Sequence, residues 1–247
     1  MEEKVEEILA KQGKQLEVDA IIKAMENNKE IPNKELIQDM KKEATEFGKI
    51  MSDENHKTLI GINDGKKIGT YIEHRFQEFV SKKYEIEVGN SASGIDLPSV
   101  ETDIKATSIA KPQSSCPFRD ARQKVFGLGY NLIVFVYEKK DTPTMCTLDF
   151  KSCTLVESAK TADFTTTKRL REMIDDGANK DDIIGYLNDK NLPGDDIIYS
   201  ELADEILSHK PEQGYLTVTN AMQWRLSYGR VIRLNNTVDG VWNYGWK

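Results

Sequence analysis

Gly94-Ile95-Asp96-Leu97-Pro98-Ser99-Val100-Glu101-Thr102-Asp103-Ile104-Lys105-Ala106-Thr107 is the stretch on which the reading of this chain turns. From Val100 to Thr107 apolar and polar residues alternate at the strand period of two. Glu101, Asp103 and Lys105 therefore leave one face of a sheet, while Val100, Ile104 and Ala106 fill the other. A tight turn at Pro98-Ser99 closes a hairpin and sets Asp96 roughly opposite Asp103, about 5 Å away at the backbone for a cross-strand pair. Two carboxylates at that separation can hold one divalent cation, with a lysine on the same surface.

The flanking segments supply the rest of a core. Ile68, Ile72, Phe76, Phe79 and Val80 recur at three- and four-residue spacing, which predicts a helix over Ile68 to Lys82 that carries Glu73. Asn55 to Lys67 reads as a loop, Tyr84 to Val88 as a short strand and Pro112 to Pro117 as another loop. Arg119 to Phe126 is predicted helical, stopped by Gly127 or Gly129. The uninterrupted apolar run Leu132 to Tyr137 reads as a strand covered on both faces. The order is helix, three strands, helix, strand.

An Asp pair with a lysine two residues on, embedded in that order, resembles the core of the PD-(D/E)XK nuclease superfamily, and within it the type II restriction endonucleases. The resemblance covers roughly residues 66 to 138. It implies an α/β (α+β) fold, a mixed central sheet flanked by helices. It also implies a magnesium-dependent endonuclease that cuts double-stranded DNA at a specific sequence. Asp96 and Asp103 are then metal ligands, with the Ile104 backbone carbonyl as a further ligand and Lys105 orienting or deprotonating the attacking water. Glu73 is an additional acid on the preceding helix, also placed at the metal. The sequence departs from the pattern in two respects. Ile95 stands where the motif has proline, and only six residues separate Asp96 from Asp103; Glu101 is held in reserve as a substitute acid.

Composition fits a soluble globular protein, with 38% hydrophobic and 30% charged residues, and no apolar run approaches the roughly 20 residues of a membrane span. The expected location is the cytoplasm, since Met1 to Val5 lacks a basic-then-apolar leader profile. Cys116, Cys146 and Cys153 are too few and too scattered for a disulfide framework or a paired-cysteine zinc site. His74 and His209 read as surface residues, and His56 lies in a polar loop without an evident partner. The formal charge of -7 runs against a nucleic-acid partner, but a field depends on where charges lie as well as on their sum.

Basic residues suited to DNA gather in two places. Arg119, Arg122, Gln123 and Lys124 lie on the helix after Lys105, and Gln223, Arg225, Arg230 and Arg233 lie near the carboxy end. Trp224, Trp242 and Trp246 read as core or interface residues. The chain is expected to divide into an N-terminal helical region (1–60), a catalytic core (61–160) and a C-terminal extension (161–247). Met145 to Leu155 has strand character, and in the extension helices are expected at Thr166 to Asp175, Lys180 to Asp189 and Ser200 to His209. A strand at Tyr215 to Val218, a helix at Ala221 to Tyr228 and strands at Arg230 to Leu234 and Val238 to Tyr244 follow. That tail resembles a winged helix; the alternative is that its elements extend the core. Symmetric cutting of a duplex needs two active sites, so a homodimer is expected. Two rival functions stay open: a structure-selective repair or mobile-element nuclease of the same fold, and a non-catalytic DNA-binding protein.

Overall fold

The computed structural model describes residues 37–86, 88–89, 94–115, 118–219, 225–234 and 236–245. The chain divides into two units, residues 1–42 and 43–247. Of the first, residues 37–42 are described and are helical; residues 1–36 of the expected N-terminal helical region lie outside the described residues. Helix α1 (37–53) continues from there, and its residues from Glu43 onward belong to the second unit.

The second unit is built on a four-stranded mixed sheet. Its strands are β1 (Thr102–Ser108), β3 (Asn131–Asp141), β4 (Cys146–Val156) and β7 (Val241–Gly245), in that order across the sheet. β1 runs parallel to β3, whereas β4 is antiparallel to both of its neighbours. β3 is buried on both faces, as its apolar run requires. Its odd residues meet an aromatic layer in which Phe135 packs at 5.1 Å from Phe76, 5.3 Å from Phe47 and 5.7 Å from Phe150. Its even residues, Leu132, Val134 and Val136, join a second cluster with Leu216, Val218, Leu226, Tyr228 and Val241. Each such fully buried side chain contributes about 1.5–3 kcal/mol of transfer free energy.

Helix α2 (Gly65–Ser81) lies against β1 and buries the stripe Ile68, Ile72, Phe76 and Val80. Asp64 starts it, its carboxylate accepting the Lys66 N–H at 2.9 Å. Helix α3 (Ala121–Phe126) is capped by Asp120 and ends at Gly127, whose φ of 92° belongs to glycine. A Cβ there would stand 2.7 Å from the Ser158 carbonyl oxygen, so the turn also needs the missing side chain. Helices α4 (Phe164–Asp175), α5 (Lys180–Asp189) and α6 (Asp196–Ser208) share with α3 a separate apolar cluster centred on Leu170, Leu187 and Ile206.

Several local expectations change. No strand forms at the described residues of Tyr84 to Val88. Lys83 and Tyr84 instead bond the Glu43 carboxylate, and the Gly89 N–H goes to the Asp96 carbonyl, which turns the segment away from a ladder. The hairpin shrinks to a single bridge, Leu97 to Thr102, across a 3-10 turn at Pro98–Val100. Glu101 leaves the strand in a left-handed conformation (φ 46°), exposed, so it does not share a face with Asp103.

The stretch read as a loop after Pro112 contains strand β2 (Gln113–Ser115). It pairs with β6 (Arg225–Ser227), which pairs with β5 (Thr217–Thr219), giving a second, three-stranded sheet. The helix expected at Ala221 to Tyr228 is therefore a strand where it is described, from Arg225 on. Arg230 to Leu234 holds a 3-10 turn (Val231–Arg233) and no strand. The winged-helix pattern does not form from these elements, because β7 joins the central sheet and β6 joins β2.

Candidate active site

The site lies where the loop before β1, the start of β1 and the middle of α2 meet. Asp96 is fixed by the backbone: its Oδ2 accepts the Ile104 N–H at 2.8 Å, across the tight turn that the Leu97–Thr102 bridge closes. Its carbonyl accepts the Gln77 side-chain amide at 3.1 Å, one helical turn beyond Glu73. Gln77 was not singled out in the sequence, although its spacing of four from Glu73 puts both on one face of α2.

Asp103 is 5% exposed, pairs with Lys105 through its side chain and lies close enough to Asp96 to feel its charge. The Lys105 ammonium stands 2.7 Å from Asp103 Oδ2 and donates to the Ile104 carbonyl at 3.1 Å. Asp96, Asp103, the Ile104 carbonyl and Lys105 thus meet as the strand pattern led us to expect, and Glu73 faces them from α2. Two cavities open on this point and share Glu73 and Thr70 in their walls. One, of about 500 Å³, reaches Asp96, Asp103 and His74; the other, of about 710 Å³, reaches Lys105, Lys111 and Arg225.

Burial pushes the Asp103 carboxyl up to about 7; Lys105 opposes the shift and Asp96 adds to it. Burial likewise pushes Glu73 up to about 7, against the pull of Lys105 and with help from Asp96 and Asp103. For Lys105, burial favours the neutral amine, but the carboxylates of Asp103, Glu73 and Asp96 outweigh it and raise its pKa. Burial is the main cause of both raised carboxyl values, and the neighbouring acids add to it. An oxygen-seeking divalent cation is the species such a donor set fits. The ammonium already lies against Asp103 Oδ2 and the Ile104 carbonyl, two of the expected ligand oxygens. Among the described residues no three His, Cys, Asp or Glu side chains gather as a metal cluster; the oxygens that meet here are those of Asp96, Asp103 and the Ile104 carbonyl.

The expected DNA-contacting residues fare unevenly. Arg119 is exposed, and its guanidinium lies 3.7 Å from where a Cβ on Gly94 would stand, beside the loop that leads to Asp96. Arg122 forms a two-pronged ion pair with Glu205, and Gln123 turns its Oε1 back to the Arg119 N–H at 2.6 Å. Lys124 is 2% exposed, so it does not reach DNA; the amphipathic turn of α3 places it inward with Ala121 and Val125. Arg225 lines the larger cavity. The Arg230 guanidinium covers the Phe164 ring at 3.6 Å, and Arg233 is exposed. Gln223, Trp224, Trp246 and Cys116 lie outside the described residues.

His56 departs from its expectation. It is 2% exposed and bonded to the Met51 carbonyl at 2.8 Å and the Tyr71 hydroxyl at 3.1 Å, a structural role. His74 and His209 are exposed, as expected. Cys146 and Cys153 are free and buried.

A family model described as type II restriction enzyme NspV matches residues 34–243. The type II restriction enzyme NspV of Nostoc sp. (strain ATCC 29411 / PCC 7524) is 47% identical over 207 residues, 83% of this chain and 94% of the relative. No solved structure matches. The match runs through both cavities, the aspartate pair and the second sheet, and it places the chain in the family of the type II restriction enzyme NspV, among the site-specific deoxyribonucleases.

Proposed function

We propose that this protein is a magnesium-dependent endonuclease that hydrolyses phosphodiester bonds of double-stranded DNA at a defined sequence. The observation that carries the reading is the meeting of Asp96, Asp103 and Lys105 at the point shared by two cavities. Asp96, Asp103 and the Ile104 carbonyl would hold the ion, with Glu73 beside them. Bound there, magnesium supplies Lewis acidity toward a phosphate oxygen and makes water more acidic.

The chain's own groups do the remaining work. The Lys105 ammonium, pinned by Asp103 and the Ile104 carbonyl, orients the attacking water and stabilises charge that builds on the phosphate. Glu73, with its carboxyl raised to about 7, can hold or release a proton near neutral pH. The Gln77 amide and the Ile104 N–H fix the loop carrying Asp96, so the carboxylate does not have to be ordered when substrate arrives. Arg119, beside that loop, neutralises a backbone phosphate.

Two-fold cutting of a duplex calls for two such centres, and a homodimer supplies them. Buried free thiols suit the reducing cytoplasm, where we place the protein. Among the described residues no helix is long and apolar enough to cross a membrane.

The test is to incubate the purified protein with phage DNA and magnesium and to sequence the ends. The expected result is a single defined sequence at every cut. Cleavage confined to flaps, junctions or mismatches would assign the chain to structure-selective repair, and binding without cleavage would refute the catalytic reading.

A further inference from the structure

The small sheet β2–β6–β5 has two faces of opposite chemistry. Inward, Leu226 and Val218 are buried in the core, and Ser114 bonds the Tyr228 hydroxyl at 2.6 Å. Strand alternation sends the other positions outward, in two cross-strand rows: Gln113, Ser227 and Thr217, then Ser115, Arg225 and Thr219. Each of these side chains offers hydrogen bonds and none is acidic. In a chain with 41 acidic residues against 34 basic ones, a sheet face that carries an arginine and no carboxylate adds no repulsion of its own toward DNA.

Its size suits a groove. Neighbouring strands lie about 4.8 Å apart and alternate residues about 7 Å, so the face measures roughly 10 by 7 Å. With about 3.4 Å per base along a strand, that covers about three base pairs, within the 12 Å width of a major groove, which admits a β-ribbon. Its place suits the chemistry as well. Arg225 and Gln113 line the same cavity as Lys105 and Glu73. The Thr107 hydroxyl, two residues beyond Lys105, accepts the Gln113 N–H at 3.0 Å and lies 3.2 Å from the Gln113 carbonyl, which ties β2 to the strand that carries the reactive residues. A duplex whose scissile phosphate sat at Lys105 would have Arg225 and Gln113 in the same cavity wall.

We propose that the outer face of β2–β6–β5 reads the recognition sequence, with Arg225 bonding a guanine edge and Gln113 an adenine edge in the major groove. The inference rests on the nuclease reading above. Arginine makes a bidentate pair with guanine O6 and N7, and glutamine with adenine N6 and N7. Lys111, exposed on the rim of the same cavity, meets the flanking phosphate.

The test is binding selection from a pool of duplexes randomised at the recognition site, in calcium, followed by sequencing of the bound fraction. Wild type is expected to recover one sequence. Arg225→Ala should lose discrimination at a guanine position by roughly 5- to 150-fold while other positions keep theirs, and Gln113→Ala should do the same at an adenine position. Arg225→Lys should relax the guanine position too, because an ammonium keeps the charge and lacks the fork. It also serves should the alanine variant fold poorly. Uniformly weaker binding with an unchanged sequence preference in all three variants would overturn the inference and leave the nuclease reading intact. A wild type that recovers no defined sequence would overturn both.

Discussion

Replacing Lys105 with methionine removes one positive charge and keeps the aliphatic stem. The ammonium lies 2.7 Å from Asp103 Oδ2, with side-chain exposures of 22% for the lysine and 7% for the aspartate. At an effective dielectric constant of about 20, the bare attraction at this distance is on the order of 6 kcal/mol. Desolvation of both partners offsets most of it, and the partial exposure of Lys105 screens more. The acids left behind also take up protons, since Asp103 and Glu73 already titrate near 7, and that limits the penalty. We therefore expect the metal-free variant to lose about 1–3 kcal/mol, read from urea denaturation in chelator.

Calcium should reverse the order of the two proteins' responses. It meets fewer competing positive charges in the variant, so it should stabilise Lys105→Met by at least about 1 kcal/mol more than wild type. Cleavage in magnesium should fall by roughly 10²- to 10⁴-fold, the usual worth of a positioned proton-transfer or water-orienting group. Two results would refute the reasoning. Cleavage within a few-fold of wild type would remove Lys105 from the reaction. An equal stability gap in chelator and in calcium would mean that the ammonium and the cation do not share these carboxylates.

Cleavage should stop in chelator, while calcium, larger and less demanding in geometry, should support binding with little cutting; end-labelled duplex in gel-shift and cleavage assays separates the two. Burial holds the His56 imidazole below its ordinary value, against the Met51 carbonyl and Glu54, so the folded state binds its proton less readily than the unfolded chain. Its contribution to stability is present above about 6.5 and drains as pH falls below that, so urea midpoints from pH 7 to pH 5 should drop less in His56→Gln than in wild type. Asp163 caps α4 through the Thr166 N–H at 2.8 Å and accepts the Val218 N–H at 2.9 Å, all buried. Asp163→Ala orphans both donors and should cost about 2–4 kcal/mol by chemical denaturation.

The legible parts of the chain were those whose structure is decided locally. The α2 stripe Ile68, Ile72, Phe76 and Val80 repeats often enough to announce a helix, whose start falls three residues earlier than expected, at Gly65, because Asp64 caps it. The run at 132–137 announced a strand without a solvent face, and β3 has none over that span. Asp103 and Lys105 were legible as neighbours because the period of two fixes which side chains of a strand share a face, and Asp96 because a tight turn at Pro98-Ser99 was expected to bring it back beside them. Glu101 was misread by the same rule. The period holds only where the backbone is extended, and the turn that brings Asp96 to the Ile104 N–H has its left-handed residue at Glu101. Lys124 was misread because a charged residue on a short helix was taken as outward, when its neighbours Ala121 and Val125 already fix that face inward.

The second sheet could not be found that way, and the reason bears on where specificity is kept. β2 is three residues, Gln113 to Ser115, in a stretch whose proline and serines read locally as a loop. It becomes a strand only because Arg225 to Ser227, more than a hundred residues away, supplies its ladder partner. Such a strand needs no apolar alternation of its own, since Leu226 and Val218 anchor the sheet to the core from the other two strands. Its outward positions are thereby released from packing. The proposed reactive face of β1 has no such freedom: Asp103 and Lys105 are bound to each other, Lys105 also bonds the Ile104 carbonyl, and Glu73 of α2 acts on the lysine through its charge. Changing Gln113 or Ser115 alters what a partly exposed surface can hydrogen-bond, whereas changing Asp103 breaks a buried ion pair and, on the proposed mechanism, the reaction. If β1 cuts and this sheet reads, as proposed, the Gln113 N–H bond to the Thr107 hydroxyl joins the two and would keep the distance between reading and cutting fixed.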